Sequence, residues 1–168
     1  MSMTPLAATD PIDRVHHHWK PDDLGDPRKF QAMGSIMRLH ALMCNTIDRT
    51  LKDFGLNRNT YLMLSTVLLS PKGSRLLSNI ASHMLVHPTT VTLTADKLVG
   101  MGLLTRTPHP TDRRATYATI TPAGRALMKD ATKALDAVDF GLPGLTPARA
   151  EKLVEMLAPI RGASGDSA

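Results

Sequence analysis

The chain of 168 residues is expected to be mainly α-helical with one β-hairpin, and three stretches carry that expectation. Leu103 to Arg125 reads as two short strands joined by a basic, proline-bounded loop, with a helix starting near Thr121. Leu77 to Leu98 reads as a helix, a turn, and a second helix opened by Pro88 and three threonines. Arg28 to Phe54 reads as a long helix, because Phe30, Met33, Met37, His40, Cys44, Ile47, Leu51 and Phe54 form a seam in steps of three and four.

Ile36, Leu39, Leu42 and Met43 widen that seam beyond one stripe. Such a helix needs cover on more than one side, from its own domain and from a second copy of the chain. Gly55 supplies the left-handed stop. Asn57 then caps a second helix that runs to Ser70, where Pro71 and Gly73 end it. A short third helix spans Leu76 or Leu77 to Met84, and the turn Leu85-Val86-His87 leads to a fourth from Pro88 to Val99. Thr119 or Thr121 caps a fifth, from Pro122 to near Val138, and Thr146 with Pro147 opens a sixth that ends near Leu157. The order is long helix, helix, helix-turn-helix, hairpin and two closing helices: a winged helix-turn-helix carrying N- and C-terminal helices. Residues 1–27, with four prolines and five aspartates, read as a flexible acidic arm, and residues 161–168 as a flexible tail.

Mean hydropathy of −0.11 fits a packed soluble fold. No run approaches the roughly 18 apolar residues of a membrane span. The first residues do not form a secretory signal, so a cytoplasmic protein without membrane contact is expected. One cysteine, Cys44, excludes an intrachain disulfide framework and a cysteine-based zinc knuckle. The triplet His16-His17-His18 has no second ligand cluster nearby, and neither a metal nor a cofactor is expected. Charge is unevenly spread: of the net +5, residues 57–125 hold +6, against −3 in 1–27, +3 in 28–56 and −1 in 126–168. The positive excess therefore falls on the helix-turn-helix and hairpin, as a footprint for phosphate would.

Duplex DNA is the partner this pattern suits. Pro88, Thr89, Thr90, Thr92, Leu93 and Lys97 lie on the recognition helix, whose first turns would face base edges and phosphates. A threonine offers a hydroxyl for hydrogen bonding and a methyl for contact with thymine. Arg106 stands on the first hairpin strand, and Asp112, Arg113 and Arg114 at the tip, where an arginine can enter a minor groove. Asp112 would pair with a neighbouring arginine and fix the loop. The plainer alternatives are a threonine-capped surface helix and an exposed ion pair worth about 0–1 kcal/mol.

Leu77-Ser78-Asn79-Ile80-Ala81, Val86-His87-Pro88-Thr89-Thr90-Val91-Thr92, Asp96-Lys97-Leu98, Gly102-Leu103-Leu104-Thr105-Arg106, Asp112-Arg113-Arg114 and Thr119-Ile120-Thr121-Pro122-Ala123-Gly124-Arg125 resemble the MarR-type winged helix-turn-helix regulators. The resemblance covers roughly residues 28–160. It implies a homodimeric transcriptional regulator, often a repressor, that binds a palindromic operator and releases it for a small lipophilic or phenolic ligand or on cysteine oxidation. It further implies one domain over 28–160, in which 57–121 form the DNA-binding part and 28–56 with 122–160 the dimerisation half. Two positions depart from the pattern: Leu93 stands where many members have an arginine, and His87 takes the usual Ser or Asp capping position.

The resemblance also implies an effector crevice, for which Met33, Met37, His40, Cys44, Tyr61 and Met63 are the candidates; methionine adapts to irregular apolar space, though core packing explains the same stripe. Cys44 in mid-helix reads as a structural thiol rather than a sensor, because an apolar setting disfavours the thiolate. A protein-interaction module that reads no base is the competing function. An enzyme finds little support: there is no Gly-rich phosphate loop, nucleophile elbow or His-Glu-x-x-His motif.

Overall fold

A computed structural model describes residues 12, 25–112 and 114–166. Among them are six α-helices and a three-stranded antiparallel sheet. In chain order these are α1 (Pro27–Lys52), α2 (Arg58–Leu68), β1 (Ser74–Leu76), α3 (Leu77–Met84), α4 (Pro88–Gly100), β2 (Leu104–Pro108), β3 (Thr116–Ile120), α5 (Pro122–Asp136) and α6 (Pro147–Ala163). The chain divides into two compact units, Met1–Asn45 and Thr46–Ala168.

In the first unit, Asp26 opens α1. Its carboxylate accepts the Arg28 backbone N–H at 2.9 Å and two guanidinium N–H groups at 3.0 Å. Those side-chain bonds, with the backbone one, hold the Asp26 carboxyl below its ordinary range. On this stretch Phe30, Met33 and Met37 of the seam are exposed, as are Ile36, Leu39 and Leu42 beside it, whereas Cys44 is buried.

The second unit is built around a core of Leu51, Leu56, Met63, Leu64, Val67, Ile80, Val91, Leu98, Leu104, Ile120, Met128 and Leu135, joined by smaller side chains. Asn57 caps α2 as expected: its Oδ1 accepts the Thr60 N–H at 3.0 Å while its own N–H donates to Thr60 Oγ1 at 2.8 Å, closing a capping box. Thr121 and Thr146 cap α5 and α6 through Gly124 N and Arg149 N. Because the pairs that close these caps lie within three residues, local sequence is enough to encode them.

The sheet has the order β1-β3-β2. Leu104 faces Ile120 and Pro108 faces Thr116 across the hairpin, while β1 pairs its Arg75 with Ala118 on the other edge of β3. Strand β1 was outside the expected hairpin. Three residues are too few to show alternation, and the strand exists only because β3 offers it an edge; the Ser74 and Thr119 hydroxyls meet across the pair at 2.8 Å.

Boundaries shift at several helix ends, the second helix stopping at Leu68 rather than Ser70. The first helix ends at Lys52, two residues short of the expected Phe54, since Phe54 N and Gly55 N bond Leu51 O and Lys52 O in a turn that Gly55 completes at φ 68°. The last helix runs through Pro159 to Ala163, beyond the expected end near Leu157. A proline forfeits one N–H bond without stopping the next residues from holding helical angles.

Gly124 sits where α5 leaves the sheet. A methyl group there would collide with the Leu103 carbonyl oxygen and press on Ile120, so only glycine allows this approach. Gly100, in the last turn of α4, meets nothing. Gly124→Ala is expected to destabilise the fold by about 1–3 kcal/mol, whereas Gly100→Ala is neutral or stabilising by about 0.5–1 kcal/mol; urea denaturation of the two variants checks the contrast.

Candidate nucleic-acid interface

The α3–α4 turn depends on Leu85, which adopts the left-handed conformation at φ 52° and closes α3 by donating to the Ser82 carbonyl. The Val86 N–H reaches back to Ala81 O at 3.2 Å, completing the end of the helix. His87 then caps α4, its Nδ1 accepting the Thr89 N–H at 3.3 Å, with Pro88 in the first turn. The Thr89 hydroxyl lies 3.1 Å from the same nitrogen.

Burial divides α4 into two faces. Val91, Thr94, Ala95 and Leu98 point into the core, and α4 packs on α2, α3 and β2. Pro88, Thr89, Thr92, Leu93, Asp96 and Lys97 are exposed, while Thr90 is half-buried. Leu93 is an exposed apolar side chain at 66% accessibility on this outward face. The Thr92 hydroxyl donates to the Pro88 carbonyl at 3.2 Å and that of Thr94 to the Thr90 carbonyl at 2.7 Å.

Arg106, expected to meet DNA, is engaged by Asp96 in an ion pair that ties β2 to the outward face of α4. Its guanidinium therefore positions helix and hairpin against each other. At the hairpin tip the Asp112 carboxylate accepts the backbone N–H of Arg114 at 2.9 Å; the expected pairing with a neighbouring arginine side chain falls, for Arg113, on a residue outside those described. The exposed Arg114 guanidinium has no ion-pair partner among the described residues. Arg113 lies outside the described residues, as do His16, His17 and His18.

His109 organises the same loop and was not singled out in the sequence. Its ring stacks on Tyr117 with centroids 5.3 Å apart, and its Nδ1 accepts the Asp112 N–H at 3.2 Å. The Ala115 carbonyl accepts the His109 N–H at 2.9 Å. The neighbouring prolines mark a turn, but nothing local announces a histidine that stacks across the two strands.

The expected effector residues differ in their surroundings. In the first unit, Met33 and Met37 are exposed, and buried Cys44 has its Sγ 3.3 Å from His40 Nε2. In the second, Met63 is fully buried core and half-buried Tyr61 bonds the Thr132 hydroxyl at 2.9 Å. An open groove of about 400 Å³ in the second unit is lined by other residues, among them Leu62, Leu69, Arg75, His83 and Met84. Among the described residues no group of His, Cys, Asp and Glu is placed to hold a metal ion, and no helix is long and apolar enough to cross a membrane.

This architecture matches known proteins. Residues 61–116 fit the sequence model of the MarR family. The chain superposes with a TM-score of 0.75 on Sco5413, a MarR family transcriptional regulator from Streptomyces coelicolor, at 37% identity over 83% of this chain and 96% of that one. The chain belongs to the MarR family. Two curated relatives agree: the HTH-type transcriptional regulator MhqR of Bacillus subtilis is 33% identical over 56% of this chain and 64% of its own length, just under two thirds. The HTH-type transcriptional repressor IacR of Pseudomonas putida is 26% identical over 90% of both chains. As a MarR-family member the chain is a DNA-binding transcriptional regulator, and its relatives are regulators rather than enzymes.

In this MarR-family member the first turn of α4 rests on a histidine cap. His87→Ala is expected to cost about 0.5–2 kcal/mol, and His87→Asn to recover most of it; chemical denaturation of the two variants reads the difference.

Proposed function

We propose that the chain is a ligand-responsive repressor that works as a homodimer on a palindromic operator. The observation that carries the DNA contact is the outward face of α4 beside a fixed hairpin tip, within a segment of net charge +6. Pro88, Thr89, Thr90, Thr92, Leu93 and Lys97 enter the major groove, and Arg113 and Arg114 reach the adjacent minor groove. Asp112 holds the tip, and Arg106, paired with Asp96 on the same face, meets the phosphate backbone beside the helix.

Residues 28–56 and 122–160 supply the dimer half around the DNA-binding part at 57–121. Exposed apolar side chains support this assignment: Met33, Ile36 and Met37 on α1, and Val154, Met156 and Ile160 on α6. A second copy is the natural cover, because a palindrome presents two half-sites related by the same two-fold symmetry. The relative named as a repressor supports the sign of regulation.

Met33, Met37, His40, Cys44 and Tyr61 are the effector candidates that remain accessible or polar enough to meet a lipophilic or phenolic ligand; Met63 serves packing. Half-sites lie about one helical turn apart, near 34–36 Å. A ligand that changes the spacing of the two recognition helices by a few ångströms would weaken binding at both.

Binding to a selected operator should fall by about 0.9 log units per log unit of salt for each phosphate contacted. Unrelated duplex should compete poorly. Arg113→Ala/Arg114→Ala should abolish operator binding in gel-shift titrations at moderate salt while sedimentation still finds a dimer; unchanged affinity would remove the wing from the interface.

A further inference from the structure

Resting on the DNA-binding role just proposed, the geometry points to a specific kind of base reading: we infer that α4 selects its operator through apolar contact with thymine methyl groups, with Leu93 as the central reader and the methyls of Thr89 and Thr92 beside it. The first reason is what α4 lacks. Its thirteen residues, Pro-Thr-Thr-Val-Thr-Leu-Thr-Ala-Asp-Lys-Leu-Val-Gly, contain no arginine, asparagine or glutamine. Those side chains, with lysine, read guanine or adenine through paired hydrogen bonds, and Lys97 is the one such residue on α4.

The second reason is what its polar groups already do. Asp96 Oδ1 is engaged by Arg106, which leaves this carboxylate one oxygen as an acceptor on the outward face. The exposed threonines are already engaged: the Thr92 hydroxyl donates to the Pro88 carbonyl, and the Thr89 hydroxyl lies 3.1 Å from His87 Nδ1. Each keeps a methyl group and an acceptor lone pair. On the same outward face Leu93 is 66% accessible, although a leucine gains nothing from solvent there. A thymine C5-methyl lines the major groove and supplies the apolar surface that such a side chain would bury. Lys97, the remaining cation on this face, serves phosphate or a guanine edge with a single charge and little selectivity.

The occupant is therefore duplex DNA with thymines under the first two turns of α4. A helix presenting a carboxamide or guanidinium would specify hydrogen-bonding edges instead. The leucine is a specificity-determining residue; the phosphate contacts set affinity without sequence preference.

The test uses the full-length protein and the duplex it selects from a random library. A second duplex carries deoxyuridine in place of each half-site thymine, which removes the methyl and leaves the pairing edge intact. Wild type is expected to bind the uracil duplex more weakly by about fourfold per contacted methyl, compounding over two half-sites. Leu93→Ala, at an exposed position, should lose most of the thymine preference and keep only what the threonine methyls supply. Thr92→Val should keep the thymine preference, and Thr92→Ser should reduce it. Equal affinity of wild type for both duplexes would overturn methyl reading while leaving sequence-specific DNA binding in place. So would a full thymine preference in Leu93→Ala. Failure to select any duplex over random DNA would overturn the DNA-binding role and methyl reading together.

Discussion

Burial of Val91, Ala95 and Leu98 governs this molecule, because it decides which side of α4 faces outward. With these side chains in the core beside Ile80, Met63 and Leu64, the helix cannot rotate about its axis without pulling apolar surface into water. Fully burying Val91 or Leu98 is worth about 1.5–3 kcal/mol each, and the Ala95 methyl adds about 0.8 kcal/mol. Together on one stripe they hold the rotation of the helix. Thr94 shares that stripe and turns its hydroxyl back on the Thr90 carbonyl, so a polar residue sits there without an unmet hydrogen bond.

Everything presented to a partner follows from that orientation. His87 and Pro88 set where the helix begins, and Asp96 meets Arg106 of β2, so hairpin and helix share one frame. An exposed ion pair adds little stability. Its value lies in geometry: it limits sliding of the strand along the helix. At the far end of the hairpin, His109 gathers the loop amides and stacks on Tyr117, which lets Arg114 project from a fixed base rather than a loose loop. Gly124 and Thr121 complete the frame from behind, since Thr121 Oγ1 donates to the Gly102 carbonyl and accepts the Gly124 N–H.

The polar economy of α4 gives this family member its character. A helix rich in threonine looks, from composition, like a hydrogen-bonding surface. Once the hydroxyls of Thr89, Thr92 and Thr94 are engaged by the helix and its cap, the surface is more apolar than its residue names suggest. Leu93, in a position where the resemblance leads one to expect an arginine, then becomes consistent with its neighbours.

Helix identity and order, the caps at Asn57, Thr121 and Thr146, and the two strands of the hairpin were determined by the sequence itself, because each depends on residues three or four apart or on one turn. The outward residues of α4 were legible for the same reason: helical period sorts Thr89, Thr92 and Leu93 from Val91, Ala95 and Leu98. Tertiary structure alone decided the pairing of β1 with β3, the stacking of His109 on Tyr117, the capture of Arg106 by Asp96, and the contrast between buried Met63 and exposed Met37. Each of these joins or separates groups distant along the chain. Periodicity can mark a side chain as apolar or charged, but which partner reaches it is fixed only when the backbone closes in space.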